Sequence, residues 1–416
     1  MAREVIADTV ISDAYIYLLG RLLVTRQQRL HFENEGFAWN QFLHRRPGDV
    51  DAPNPNLDVA CSEAWVAVDG RSCTLVSVPR ITGRYSTVQV LNGWGETLAT
   101  IDERAYPAHR SGEFALCRAG ATVPVPLKAR RIDLPGPCAR VLARVELGTD
   151  WDRAIALQHQ LRLRTIGKPA LPEIPKTPMF ELDRLPGVEA FDAAEVALDS
   201  EPDTNPGMEA LQAHVRAIAQ AVRDPAEHAR VDHVIRERTA PDLVGAMMRH
   251  GTVRNGWVRP AAVGLYGTDY LSRTLANHGG LWANSDPQVV TYRCHVDGDG
   301  AVLDGKNFYA LTFAADEVPA VQATYCWSVM ALDSKRFRVL PNPMSRFVIN
   351  TRSTLRDRKD GSLTLYFAPD RPRGVPDGNW LPTATGQVYG LTLRFYGPTS
   401  PVAAGRYVPP PVVKQH

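Results

Sequence analysis

Residues 85–91 read YSTVQVL, with Tyr85, Thr87 and Gln89 on one side of an extended chain and Val88 and Val90 on the other. A period of two with unequal faces marks a strand that buries one side in a core. The stretch follows Gly83 and Arg84 at a turn-to-strand junction. Pieces of the same character flank it between Pro53 and Leu147: EAWVAVD, SCTLVSVP, GEFALCRA and RVLARVELG, separated by Gly, Pro and Asp. A second series follows Arg259: QVVTYRCHVD, NFYALTF, YCWSVMALD, RFVINT, SLTLYFAP and VYGLTLRFYG. DGDGAVLDG at 297–305 resembles a calcium loop only superficially. Ala301 and Phe308 stand where such a loop needs its fifth and twelfth ligands, so a hairpin turn is expected.

Between and before these regions the period changes. Ile6, Val10, Ala14, Tyr17, Leu18 and Leu22 recur at spacings of three and four and predict an amphipathic helix over 4–29, with Tyr17 in the core and Tyr15 at its edge. Residues 151–182 are transitional and end in the Pro-rich connector GKPALPEIPKTP. Met208, Leu211, Val215, Ile218 and Val222 predict a helix, and Pro225 starts another through Val231, Val234 and Ile235. TDYLSRTLANHGG predicts one more, stopped by Gly279 and Gly280. The expected fold is mainly β with helical elaboration: two β-rich sandwich-like or barrel-like domains joined by a helical middle segment. The expected divisions are 1–50 (N-terminal helical segment), 51–180 (β-rich), 181–258 (helical insert or linker) and 259–416 (β-rich, with a leading helix).

At 416 residues the chain exceeds the length at which one core keeps growing. Lys and Arg number 47 against 45 Asp and Glu, with no dense basic block, which argues against nucleic acid as a partner. Arginines stand singly in apolar segments, among them Arg84, Arg273, Arg346 and Arg394; a planar five-donor fork suits buried pairing as well as substrate anions. The N-terminus lacks the pattern of a signal peptide, and no segment reaches the ~18–20 apolar residues of a membrane span. The cysteines at 61, 73, 117, 138, 294 and 326 form no CxxC pair and are expected to be free buried thiols in a cytoplasmic protein. A homodimer is the default expectation.

The C-terminal runs LDGKNFYALTFAADEVPAVQATYCWSVMALD, NPMSRFVI, DGSLTLYF and GNWLPTATGQVYGLTLRFYGP resemble the bacterial domain of unknown function numbered 1214. NPNLDVACSEAWVAVDG through GRYSTVQVLNGWG is similar to its companion, numbered 1254. Together they cover about two thirds of the chain in the usual tandem order. The N-terminal motif of the family falls on Asn56, Asp58, Val59, Cys61 and Ser62, and its Arg-Tyr pair on Arg84 and Tyr85. The C-terminal motifs fall on Trp327 and Ser328, on Asn342, Pro343 and Arg346, on Asp360, Gly361 and Ser362, and on Asn379, Trp380, Leu381 and Pro382. Hydroxyl-bearing residues of the family are replaced by Val59, Cys61, Met330 and Leu332, which implies a less polar pocket if these positions line one.

No GxSxG elbow, P-loop, HExxH or GxGxxG opening a βαβ unit is present, so no cofactor is expected. His214, His228 and His233 do not face one another at helical spacing, and no metal is expected either. The acid/base pool is richer. Asp58, ahead of Val59 and Ala60, is a candidate proton carrier, Tyr85 a candidate assistant, and Arg84 and Arg346 candidates to neutralise developing negative charge. Asn56, Ser62, Trp327, Asn342 and Trp380 are candidate substrate-binding residues. Two functions fit: a cofactor-independent enzyme working by acid/base chemistry on a largely apolar small molecule, of lyase, isomerase or cyclase type and in specialised biosynthesis; and a non-catalytic small-molecule binding or scaffolding protein. For each candidate a structural role competes. Asn56 and Asp58 can simply fix a turn, and Arg84 can tie two layers together.

Overall fold

Val88 and Val90 point into an apolar core beside Ala64, Val66, Phe114 and Val141, and Gln89 points the other way, donating to the Ala283 carbonyl at 2.8 Å. These relationships come from a computed structural model that describes residues 6–51, 54–247 and 249–415; residues 4 and 5 of the predicted first helix, and Pro53, lie outside them.

The chain opens with α1 (Asp8–Asn34), followed by β1 (Leu43–His44), β2 (Val59–Ala67), β3 (Cys73–Val78), β4 (Ser86–Leu91), β5 (Thr97–Ile101), β6 (Gly112–Arg118), β7 (Arg130–Leu134), β8 (Cys138–Glu146), α2 (Trp151–Gln158) and β9 (Arg162–Ile166). One sheet runs β1-β2-β8-β4-β5 and the other β7-β6-β3-β9. Their inner faces form one core, with Val66, Val88 and Val141 meeting Val76, Phe114 and Leu134. β9 lies within the transitional stretch because RLRTI carries arginines at its exposed positions and adds only an edge to β3.

The middle of the chain is helical: α3 (Ala194–Asp199), α4 (Met208–Ala221), α5 (Pro225–Val234), a π turn over Ile235–Thr239, and α6 (Ala240–Ala246). Pro225 stands in the first turn of α5, and the Asp224 carboxylate accepts from the Ala226 and Glu227 amides. Together with α1 these helices build a core of their own. That core corrects the amphipathic expectation for α1, which is buried on every side from Tyr17 to Arg26. Tyr15 is as inaccessible as Tyr17. The Tyr15 hydroxyl donates to the Pro186 carbonyl at 2.6 Å and that of Tyr17 to Asp203 at 2.9 Å.

The C-terminal unit comprises β10 (Thr252–Arg254), β11 (Trp257–Arg259), α7 (Tyr270–His278), β12 (Val289–Cys294), β13 (Tyr309–Phe313), β14 (Ala323–Asp333), β15 (Val348–Asn350), β16 (Leu363–Ala368), β17 (Trp380–Pro382), β18 (Tyr389–Pro398), α8 (Ser400–Ala403) and β19 (Val412–Lys414). Its sheets run β10-β11-β12-β18-β14-β15 and β17-β16-β13-β19 around a second sandwich core. None of the four sheets closes on itself, so the two β regions are sandwiches and not barrels. Residues 297–301 form a hairpin turn, with the Asp297 amide donating to the Ala301 carbonyl at 2.8 Å.

The expectation of six free thiols does not hold. Cys73 and Cys117 stand directly opposite each other on antiparallel β3 and β6, their Cα atoms 4.5 Å apart, and they form a disulfide. That distance is within the normal range for a bridge. The pairing depends on strand register across 44 residues of sequence, which spacing alone does not reveal. Cys61, Cys138, Cys294 and Cys326 are free.

Candidate functional site between the two sandwiches

β18 buries both faces, and β12 buries one and half-buries the other. Val290, Tyr292 and Cys294, with Leu391, Leu393 and Phe395, enter the C-terminal core. By strand alternation Val289, Thr291 and Arg293, with Thr392, Arg394 and Tyr396, point the opposite way. They look toward the N-terminal sandwich, where the same rule turns Cys61 and Glu63 of β2 and Leu142 and Arg144 of β8 outward from its core. α7 and the segment 279–284 fill part of the gap. What remains is a cavity of about 260 Å³ with an apolar wall that includes Leu142, Val258, Leu275, Trp282 and Val289. The segment bends sharply: Leu281 and Trp282 both have left-handed backbone (φ 51° and 52°), a conformation that side chains with a Cβ seldom adopt.

Three guanidinium groups border this cavity, and their situations differ. Arg144 donates to the Gln89 and Asn284 side-chain oxygens, each at 2.8 Å, and to the Trp282 carbonyl at 2.7 Å. Arg394 donates to the Asn54 side-chain oxygen at 2.8 Å and to the Pro55 carbonyl at 3.1 Å. Arg293 is half-buried, packs against Gly279, and has no hydrogen-bond or ion-pair partner among the described residues. Burial, and then the like charge of Arg394, pull its pKa down to about 10. The one carboxylate on the cavity wall, Glu63, is engaged by Arg45 at 3.1 Å and by Arg140.

Of the residues singled out in the sequence, Asn56, Asp58 and Tyr85 are brought together around Tyr396, beside this cavity. The Asn56 side-chain oxygen accepts from the Asp58 amide at 3.1 Å, the local turn anticipated for an Asn-x-Asp pair, and it also accepts from the Tyr396 hydroxyl at 3.0 Å. The buried Asp58 carboxylate accepts from Asn350 at 2.9 Å and from Tyr396 at 3.2 Å. The Tyr85 ring packs edge-on against Tyr396, centroids 5.1 Å apart, and burial pushes its pKa up to about 12. Tyr396 is likewise driven well above the ordinary tyrosine value, first by burial and then by the Asp58 charge. Asn56 and Tyr396 line the cavity; Asp58 sits behind them.

The remaining candidates lie elsewhere. Arg84 donates to the Glu146 carbonyl at 2.9 Å, fastening the start of β4 to the end of β8. Ser62 alternates away from Cys61 and Glu63, is fully buried, and hydrogen-bonds to His44 Nδ1 at 2.8 Å. Trp327 belongs to the C-terminal core. Asn342, Arg346 and Trp380 form a separate group. Asn342 closes a turn by accepting from the Arg346 amide at 3.0 Å, Arg346 pairs with Asp377 at 2.6 Å, and its guanidinium lies over the Trp380 ring, 5.8 Å from the centroid. Among the replaced hydroxyl positions, Cys61 borders the cavity, whereas Met330 and Leu332 pack with Leu57 and Val339.

Sequence reading missed Arg144, Arg293 and Tyr396. The signal was available in QVVTYRC and GLTLRFY, where polar residues alternate with core residues along strands that lie in the middle of a sheet. Among the described residues no three His, Cys, Asp or Glu side chains gather as a metal site, and no helix is long and apolar enough to cross a membrane.

Residues 39–165 match the protein of unknown function DUF1254, and residues 288–400 match the protein of unknown function DUF1214. No curated protein matches the chain. Among solved structures the chain is similar to the VPA0106 protein from Vibrio parahaemolyticus, at 20% identity and a TM-score of 0.68 over 98% of this chain and 100% of that one. It is also similar to an uncharacterized protein from Burkholderia cenocepacia, at 17% identity and a TM-score of 0.49 over 95% of this chain and 87% of that one. The first likeness concerns the fold alone.

Proposed function

We propose that this chain, which matches DUF1254 and DUF1214 in tandem, takes up a small, largely apolar molecule between its two sandwiches. The observation that carries this reading is the 260 Å³ cavity itself, where apolar side chains share the lining with polar ones such as Asn56, Arg144, Arg293 and Tyr396. Small-molecule sites combine an apolar wall with a few placed polar groups that fix orientation. Ala276 of α7 borders the cavity, so Ala276→Trp fills it. Native mass spectrometry of protein purified without denaturation is expected to show a retained small molecule in the wild type and none in this variant. A wild-type preparation that stays empty while small apolar probes leave its melting temperature unmoved would sink the reading.

A second reading, catalysis, is favoured by the Tyr396–Asp58 contact. A phenol has one proton, so Tyr396 can donate to only one of Asn56 and Asp58 at a time. In a concerted relay the Tyr396 oxygen accepts a proton from a bound molecule as its own passes to Asp58, so that no free phenolate forms, and Arg293 and Arg144 lie on the wall where the negative charge developing on the bound molecule would need stabilising. Asp58→Asn would then abolish solvent exchange of an acidic ligand proton, followed by NMR in deuterated water, while leaving binding in place. Equal exchange in the variant would leave only the binding role. The Cys73–Cys117 disulfide supports an oxidising compartment over the cytoplasmic location expected from cysteine spacing.

A further inference from the structure

We infer that the molecule held between the sandwiches carries a single carboxylate group, seated on Arg293. The inference rests on the binding reading above and adds the chemical class of the ligand.

The charged groups around the cavity are nearly all paired. Glu63 already has two arginine partners, and Asp58 has Asn350 and Tyr396. Arg144 and Arg394 spend their donors on carbonyl and amide oxygens that fix the segments 282–284 and 54–55. His250, also on the wall, hydrogen-bonds to Ser272 at 2.8 Å, whereas Arg293 has no partner among the described residues and stands beside a second positive charge, that of Arg394. Holding an unpaired guanidinium out of bulk water next to another cation costs stability unless an anion completes the site.

The surroundings also select the anion. One free planar fork matches one planar carboxylate in a bidentate pair. Apolar side chains, among them Val258, Leu275, Trp282 and Val289, share the wall with polar ones that already have protein partners, such as Arg144, His250 and Arg394, so the acid has a hydrocarbon body. A volume of about 260 Å³, below the roughly 300–1,000 Å³ of drug-sized pockets, keeps that body small. Gly279 fits the same picture: a Cβ there would stand 3.3 Å from Arg293 Nη1, so the absence of a side chain leaves the guanidinium room.

Arg293 also lies near the C-terminal end of α7, where a cation can serve the helix dipole alone. The test separates the two roles. Octanoate, 1-octanol and octyl phosphate are titrated calorimetrically into the full-length wild type, Arg293→Gln and Arg293→Lys, with the melting temperature of each ligand-free protein recorded. Octanoate is expected to bind the wild type at least tenfold tighter than 1-octanol. Arg293→Gln should erase that preference without lowering the ligand-free melting temperature, and Arg293→Lys should retain part of it. Equal affinity for acid and alcohol would overturn the carboxylate inference while leaving the cavity reading intact. Tightest binding of octyl phosphate would overturn it in favour of a phosphate. A lower melting temperature for Arg293→Gln with the preference unchanged would assign Arg293 to the helix, and failure of all three probes to bind would remove the cavity reading as well.

Discussion

The Tyr396 hydroxyl lies 3.2 Å from an Asp58 carboxylate oxygen although 338 residues of sequence separate them. This contact joins the last long strand of the C-terminal sandwich to the turn that opens the N-terminal one, and it does so in a buried setting. Tyr396→Phe removes the one proton that Asn56 and Asp58 share and leaves that pair one hydrogen bond short. A stability loss of about 1–3 kcal/mol is expected, read as a lower urea midpoint with the secondary structure intact. An unchanged midpoint would show that the sandwiches are held together by other contacts.

Arg84 spends its guanidinium on the carbonyl groups of Glu146 and Leu147. Arg84→Lys keeps the charge but loses the fork. The expected result is a modest stability loss, about 1 kcal/mol, with ligand affinity unchanged. A tenfold loss of affinity at unchanged stability would return Arg84 to the functional site.

The cysteine chemistry can be counted. Denatured, unreduced protein should give four reactive thiols, and reduced protein six. Closing 44 residues of sequence with a bridge is worth about 4 kcal/mol in the chain-entropy treatment, so reduction should lower the midpoint markedly. Six thiols before reduction would refute the disulfide.

Glu201 supplies a pH prediction. It is wholly buried, its carboxyl against Gly93 and Gly136, and burial raises its pKa from 4.5 to about 7 despite the opposing charge of Arg21. The folded state therefore prefers the protonated acid more strongly than the unfolded chain does. That stabilising contribution is fully present below about pH 4.5 and is lost as pH rises through about 7. The loss amounts to about 3 kcal/mol. Glu201→Gln should flatten this part of the stability profile and raise stability at pH 8, as measured by denaturant midpoints from pH 5 to 8. An identical profile in the variant would exclude Glu201 as its source.

Much of the architecture is legible in the sequence because local period suffices for it. YSTVQVL announces a strand with two unlike faces, Pro225 announces a helix start, and Gly279 a helix end. What failed has a common cause. α1 reads as amphipathic from its spacing, but its polar face is covered by segments more than 150 residues away, such as Pro186 and Asp203. The Cys73–Cys117 bond depends on strand register. The candidate site divides in the same way. Asn56, Asp58 and Tyr85 were accessible through a motif, whereas Arg144, Arg293 and Tyr396 are ordinary strand residues until two sheets face each other.

That facing arrangement has a consequence for how the protein can change. On β12 the even-numbered positions belong to the sandwich core and the odd-numbered ones to the cavity; on β18 the assignment is reversed. Parity thus separates two kinds of mutational freedom within single strands. Substitutions at Val289, Thr291 or Arg293 can reshape the cavity wall while Val290 and Tyr292 go on packing the core, so new ligand preferences can arise along these strands without a new fold having to be found.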